Sequence, residues 1–187
     1  MGNTDIIINS ISPDIKYFHI ANSAGILNCP DSHFNMVRPG ISLYGISPLG
    51  KPHHSLNPVM KMKAPVVLVK KMNAGDSVGY SRLYTAEKDE KIALLQAGYA
   101  DGIPAIFSNS GSVEIKGSQY PIIGKVSMDL IAINCGEDTI KEGDEAVFWG
   151  GEHENTRLEY LAIKYKKIPY EFLTGVSARV ARHLINE

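Results

Sequence analysis

The sequence predicts a mainly β fold, with a C-terminal β domain, barrel- or sandwich-like, preceded by the remnant of an α/β barrel. Three observations predict it. The N-terminal part holds two short β-prone runs, each ending in a turn, the first of which can open a helix. A proline-bearing break follows. Beyond the break comes a series of short β-prone runs, most of them separated by glycine-bearing turns, which is the pattern of a compact barrel or sandwich.

In chain order, Ile6-Ile7-Ile8 is an apolar stub with no partner in this sequence. Tyr17-Phe18-His19-Ile20 reads as a short strand. Asn22-Ser23-Ala24-Gly25 reads as a turn that can start a helix, because Asn and Ser side chains cap exposed N–H groups. Phe34-Asn35-Met36-Val37-Arg38 reads as a second strand, turned by Pro39-Gly40-Ile41. Two such units resemble the last βα units of a parallel, TIM-type barrel, which cannot close from two. Pro48, Pro52 and Pro58 disfavour helix and strand alike between residues 47 and 58. The domain boundary is placed there, with 1–53 as the α/β remnant and 54–187 as the β-rich domain.

The β-rich part has candidate strands at Met62–Lys71, Ser77–Tyr80, Lys91–Ala97, Ser112–Ile115, Tyr120–Val126, Leu130–Cys135 and Glu145–Trp149. Turns fall at Asn73-Ala74-Gly75-Asp76, Asn109-Ser110-Gly111 and Lys116-Gly117-Ser118. Thr156 is read as the cap of a helix over Arg157–Tyr165, with residues 158, 161 and 162 facing inward. Phe172-Leu173 is read as strand-like, and Val176–Leu184 closes the chain.

Composition narrows the function classes. With 44% hydrophobic and 21% charged residues in 187, the chain reads as globular and soluble. A net charge of −1 supplies no field for nucleic acid or a membrane surface. No apolar run is long enough to span a bilayer. Cys29 and Cys135 stand far apart in no metal-like spacing, and read as free thiols of a cytoplasmic protein. The histidines are scattered, and His53-His54 lies in the break, so no metal site is expected.

Four clusters carry candidate chemistry. His19-Ile20-Ala21-Asn22-Ser23-Ala24-Gly25 is a strand end feeding a helix start, where backbone N–H groups and a hydroxyl suit an anion. Alone, it reads as an ordinary Asn/Ser cap. Arg38-Pro39-Gly40-Ile41 puts an arginine at a strand end and a glycine where a ligand can approach the backbone. Alone, it is a surface arginine beside a turn. Ser77-Val78-Gly79-Tyr80-Ser81 and Gly98-Tyr99-Ala100-Asp101-Gly102 place tyrosines beside glycines, where a phenol can enter a cleft or merely pack. Gly124-Lys125-Val126-Ser127-Met128-Asp129 is a further strand–turn junction.

Taken in order, the clusters resemble the alanine racemase family. The set runs His-x-x-Asn-Ser-Ala-Gly, Asn-Met-Val-Arg-Pro-Gly-Ile-x-x-Tyr-Gly, Val-Gly-Tyr, Gly-Tyr-Ala-Asp-Gly and Gly-x-Val-x-Met-Asp, from about Tyr17 to the C-terminus. The resemblance implies a cytoplasmic homodimeric isomerase that uses pyridoxal 5′-phosphate to interconvert L- and D-alanine for peptidoglycan. It also implies an α/β barrel that holds the cofactor, followed by a β domain. Tyr80 matches the catalytic tyrosine, which works opposite the cofactor's lysine and reaches into the neighbouring subunit's barrel. A phenol ordinarily titrates near ~10, so this duty calls for cationic neighbours. Arg38 matches the arginine facing the cofactor's ring nitrogen, and His19 the residue supporting that arginine. Ser23, Gly40 and Ile41 match phosphate contacts, with Asn22 in the same turn. Tyr99 and Met128 match residues near the substrate carboxylate.

Two departures accompany the match. The family's cofactor lysine lies upstream of everything here, and Lys16 lacks its flanking pattern. The sequence is therefore read as the C-terminal half, lacking an N-terminal barrel half and inactive by itself. Ala178, in Ser177-Ala178-Arg179-Val180, stands where some relatives carry a phosphate-binding tyrosine. Two other readings share these residues: a non-catalytic folding or dimerisation fragment, and a racemase of the same fold acting on serine or a broader set.

Overall fold

The β-prone runs of the C-terminal part close into a barrel. The computed structural model describes residues 15–185, and the Ile6-Ile7-Ile8 stub lies outside them. The chain divides into two units that meet at Asn57–Pro58.

In the second unit, β1 (Met62–Met72), β4 (Glu90–Leu95), β5 (Ser112–Ile115), β6 (Ser118–Ile123), β7 (Ile131–Gly136) and β8 (Glu145–Trp149) form a closed barrel in the order β1-β4-β7-β6-β5-β8. β2 (Ser77–Val78) and β3 (Tyr84–Thr85) form a separate hairpin. Every pairing is antiparallel. The mainly β expectation is met, and the form is a barrel rather than a sandwich. Closure leaves no unpaired edge, the usual hazard of a short sheet.

β1 shows why these residues make strands. Met62, Ala64 and Val66 point inward while their neighbours point out, until a bulge between Val66 and Leu68 breaks the alternation. Pro65 is tolerated because it sits where β1 passes from β8 to β4, and its carbonyl accepts the Gln96 N–H at 3.0 Å. The core holds Trp149, Phe107, Phe148 and Phe172.

Two short helices, α2 (Leu158–Lys164) and α3 (Pro169–Thr174), follow the barrel. Phe172 meets Trp149 edge-on at 5.9 Å between ring centroids, and Phe107 stacks at a tilt on Tyr165 at 4.8 Å. This corrects the strand-like reading of Phe172-Leu173. Pro169 opens the helix, the Glu171 carboxylate accepts the Ile168 N–H at 3.3 Å, and Gly175 follows its last residue. Thr156 is not the cap of α2. It ends a 3-10 turn, its hydroxyl bonds back to His153 O at 2.8 Å, and Arg157 is the N-cap.

In the first unit, α1 (Ser23–Asn28) starts where the sequence places a helix opening. The two β-prone runs before and after it do not form strands. Their trace is one parallel bridge between Asn22 and Arg38, with the Arg38 N–H on Ala21 O at 2.9 Å. Parallel pairing is the sense that neighbouring strands of an α/β barrel take. Among the described residues, no helix is long and apolar enough to cross a membrane.

The two cysteines have opposite environments. Cys29 is exposed, whereas burial pushes the Cys135 thiol up to about 11. A thiol reagent at pH 8 therefore labels Cys29 in the native chain and reaches Cys135 only after unfolding. Mass spectrometry of the labelled peptides checks this, and equal native labelling of both would contradict the packing of β7.

Candidate active site

His19, Asn22, Ser23, Arg38, Gly40 and Ile41 belong to the first unit, and Tyr80, Tyr99 and Met128 to the second.

In the first unit the Asn22–Arg38 bridge draws two of the sequence clusters together. Asn22 is the N-cap of α1: its Oδ1 accepts the N–H groups of Ala24 and Gly25, both at 3.1 Å. Ser23 follows and is 4% exposed. Its Oγ accepts the Gly40 N–H at 2.9 Å and the Ser42 hydroxyl at 3.1 Å, with the Ser42 N–H at 3.4 Å. Gly40 leads into a 3-10 turn, Ile41–Tyr44, which buries Ile41. Backbone N–H groups in such a first turn have no partner within it. Three donors thus converge on one small hydroxyl whose own proton remains for an oxygen outside. Arg38 is exposed, with Nη2 at 3.4 Å from Ile20 O, a weak contact. No hydrogen bond joins His19 to Arg38 among the described residues, and His19 is exposed.

In the second unit the three site residues lie on adjoining turns. Tyr80 is 71% exposed and follows Gly79, which has φ +69°. Ser81 and Arg82, at φ +65° and +47°, are also left-handed. Such values are uncommon in non-glycine residues and cluster where a side chain must be presented. Tyr99 starts a 3-10 turn, Tyr99–Asp101. That turn is fastened to the Met128 loop, since the Tyr99 N–H donates to Ser127 O at 2.9 Å and the Ala100 N–H to Met128 O at 3.2 Å. Tyr99 and Met128 are each half exposed.

Sequence reasoning missed the group that ties these turns. The Arg179 guanidinium meets both oxygens of Asp101, at 2.7 and 2.9 Å, and reaches Asp129 at 2.7 Å. Ser177 N–H adds a bond to Asp101 O at 3.2 Å. Asp101 and Asp129 belong to two of the motifs, and Arg179 sits in a third segment. Their opposite charges were the available signal, but no spacing rule joins residues so far apart in sequence. A bidentate arginine fixes orientation as well as distance.

The family models agree with this division. The model described as alanine racemase, C-terminal domain, matches residues 59–184, and its N-terminal counterpart matches residues 5–48. The chain belongs to the alanine racemase family. An alanine racemase from Vesicomyosocius okutanii is 44% identical over 162 residues, 87% of this chain and 46% of that protein. The solved alanine racemase from Streptomyces coelicolor superposes with a TM-score of 0.85 at 35% identity, over 99% of this chain and 49% of its own. That from Bartonella henselae, with covalently bound pyridoxal phosphate, gives 0.81 at 36%, over 88% and 46%. The chain thus spans about half the length of the racemases it matches.

Proposed function

We propose that this chain is the Tyr80-bearing half of a pyridoxal-phosphate-dependent alanine racemase, interconverting L- and D-alanine when united with a barrel half that carries the cofactor lysine. One observation carries the reading. The likeness to alanine racemases runs through both units: the donor cluster at Ser23 falls within the match to the family's N-terminal domain and the presented phenol of Tyr80 within the match to its C-terminal domain.

The residues of the first unit fit the cofactor. The Ser23 hydroxyl, which accepts the Gly40 and Ser42 donors, would give its own proton to a phosphate, and the Gly40 N–H would be shared between that hydroxyl and the phosphate. Ile41 adds its backbone N–H from the same turn, and Asn22 fixes the helix start that aims Ser23. Arg38 would donate to the cofactor's ring nitrogen. A guanidinium stays protonated, so it gives a hydrogen bond without giving up its proton. His19 would steady Arg38 from the adjoining chain. Pyridoxal phosphate, when bound, supplies the electron sink that lets the α-proton of an amino acid leave.

Racemisation removes that proton from one face and returns it on the other, so two groups on opposite faces must carry it. Tyr80 serves one face: its phenol oxygen takes the proton from, or gives it to, the α-carbon. The lysine serves the other. Tyr99 and Met128 flank the substrate carboxylate and orient the α-carbon between the two. An exposed catalytic phenol needs surroundings that exclude water, and in this reading a second copy of the racemase supplies them, as a homodimer.

The test is racemisation itself. Fused to the lysine-bearing barrel half of a relative, the chain converts L-alanine to D-alanine in a coupled assay, while the 187-residue chain alone gives none. A fused protein that is soluble and takes up pyridoxal phosphate, yet leaves alanine untouched or prefers serine, would overturn the reading.

A further inference from the structure

The geometry points to Asn109 as the positioning residue for Tyr80, the clasp that holds the tyrosine's turn by both ends. The inference rests on the reading of Tyr80 as a proton carrier and goes on to say what sets its place.

The turn that presents Tyr80 is backed by little regular structure. The hairpin beneath it has two residues per strand, Ser77 and Val78 against Thr85 and Tyr84. Three of the four residues from Gly79 to Arg82 have positive φ, a conformation that needs support from outside the turn. That support comes from Asn109, a residue of a different loop. Its Nδ2 donates to Leu83 O at 2.6 Å, at the end of the turn. Its Oδ1 accepts the Gly124 N–H at 2.5 Å, and its own N–H donates to Gly124 O at 3.2 Å. Gly124 in turn lies against the start of the turn: a Cβ there would stand 2.7 Å from Val78 Cγ1 and 2.9 Å from Val78 O. Its φ of +71° also demands glycine. Gly79 continues the contact, 3.6 Å from Lys125 N at the position of a Cβ.

Asn109 and Gly124 therefore form one unit that touches the chain just before Tyr80 and just after it. Asparagine suits the post twice. Its amide is donor and acceptor at once, and it tolerates the left-handed φ of +50° that it adopts. Aspartate keeps the shape, the tolerance and the acceptor, but loses the donor to Leu83. Glycine keeps the backbone and loses both side-chain bonds.

The experiment uses the fused racemase for exchange and the 187-residue chain for spectroscopy, with Asn109→Asp, Asn109→Gly and Tyr80→Phe compared. The loss of such a bond corresponds to about a tenfold effect. Both Asn109 variants are expected to slow α-proton exchange about tenfold on the face that Tyr80 serves, and to leave the lysine face within about twofold. In the chain, the Tyr80 ring resonances move in both variants. The Gly124 amide becomes fast-exchanging in Asn109→Gly but stays protected in Asn109→Asp. Equal losses on both faces, or unmoved Tyr80 resonances, would overturn the positioning role. If Tyr80→Phe alone is lopsided, only the Asn109 inference falls. If Tyr80→Phe affects both faces alike, the proton-carrier reading falls and takes the inference with it.

Discussion

Gly98→Ala is expected to lower the melting temperature of the chain by roughly 10 °C. The reason is contact rather than backbone freedom. Gly98 has an extended φ of −160°, which any residue adopts. A Cβ there, however, would stand 2.2 Å from Met128 O and 2.3 Å from Ser127 O, both backbone atoms. The loop must retreat, loosening the bonds from Tyr99 to Ser127 and from Ala100 to Met128. Overpacking and two weakened backbone bonds together cost about 3 kcal/mol. Gly117→Ala is the control, since Gly117 has φ +80° with nothing within 4 Å. It carries the backbone penalty without the clash and is expected to lose less. If Gly98→Ala melted no lower than Gly117→Ala, the close approach of the two turns would not be a constraint. In the fused enzyme the same variant displaces Tyr99 from Met128, so its effect on alanine binding is expected to exceed that of the control.

The barrel was legible in the sequence because its strands are short, apolar and punctuated. Ser112–Ile115 and Glu145–Trp149 fall where the β-prone runs place them, to the residue. The Ser77–Tyr80 run is shorter in the structure and ends at Val78. Gly79 leaves the β region there, and Ser81 and Arg82 stay left-handed, which side chains of those types do not announce. The apolar pair Phe172-Leu173 suggests a strand, but the flanking Pro169, Glu171 and Gly175 are helix signals, and they prevail in α3. In the first unit β-prone residues make strands only when neighbours pair with them, and one bridge is all that forms among the described residues. The candidate site was legible as a set of motifs rather than as geometry. Ser23 and Gly40 are seventeen residues apart and hydrogen-bonded. Arg179 lies 78 residues from Asp101. No local pattern encodes either contact.

Tyr80→Phe in the fused racemase is expected to cut racemisation by about 10²–10⁴, the usual contribution of a positioned acid–base group. Phenylalanine keeps the ring and loses the only atom that moves a proton. Cofactor uptake is expected to be unchanged, because the donors proposed for the phosphate lie at Ser23, Gly40 and Ile41 in the first unit. Packing is expected to survive as well, since Tyr80 is 71% exposed in the chain. The loss is therefore kinetic, and it is one-sided. The face served by the lysine keeps its proton traffic, while the face served by Tyr80 stops.

The measurement that tests this account most directly is α-deuterium uptake from D₂O into L-alanine and D-alanine separately, for the fused enzyme and its Tyr80→Phe variant. The account predicts that the variant exchanges one enantiomer at close to the parent rate, nearly fails to exchange the other, and racemises neither. Exchange and racemisation of both enantiomers at the parent rate would contradict it, and would make Tyr80 a packing tyrosine at the end of a short strand.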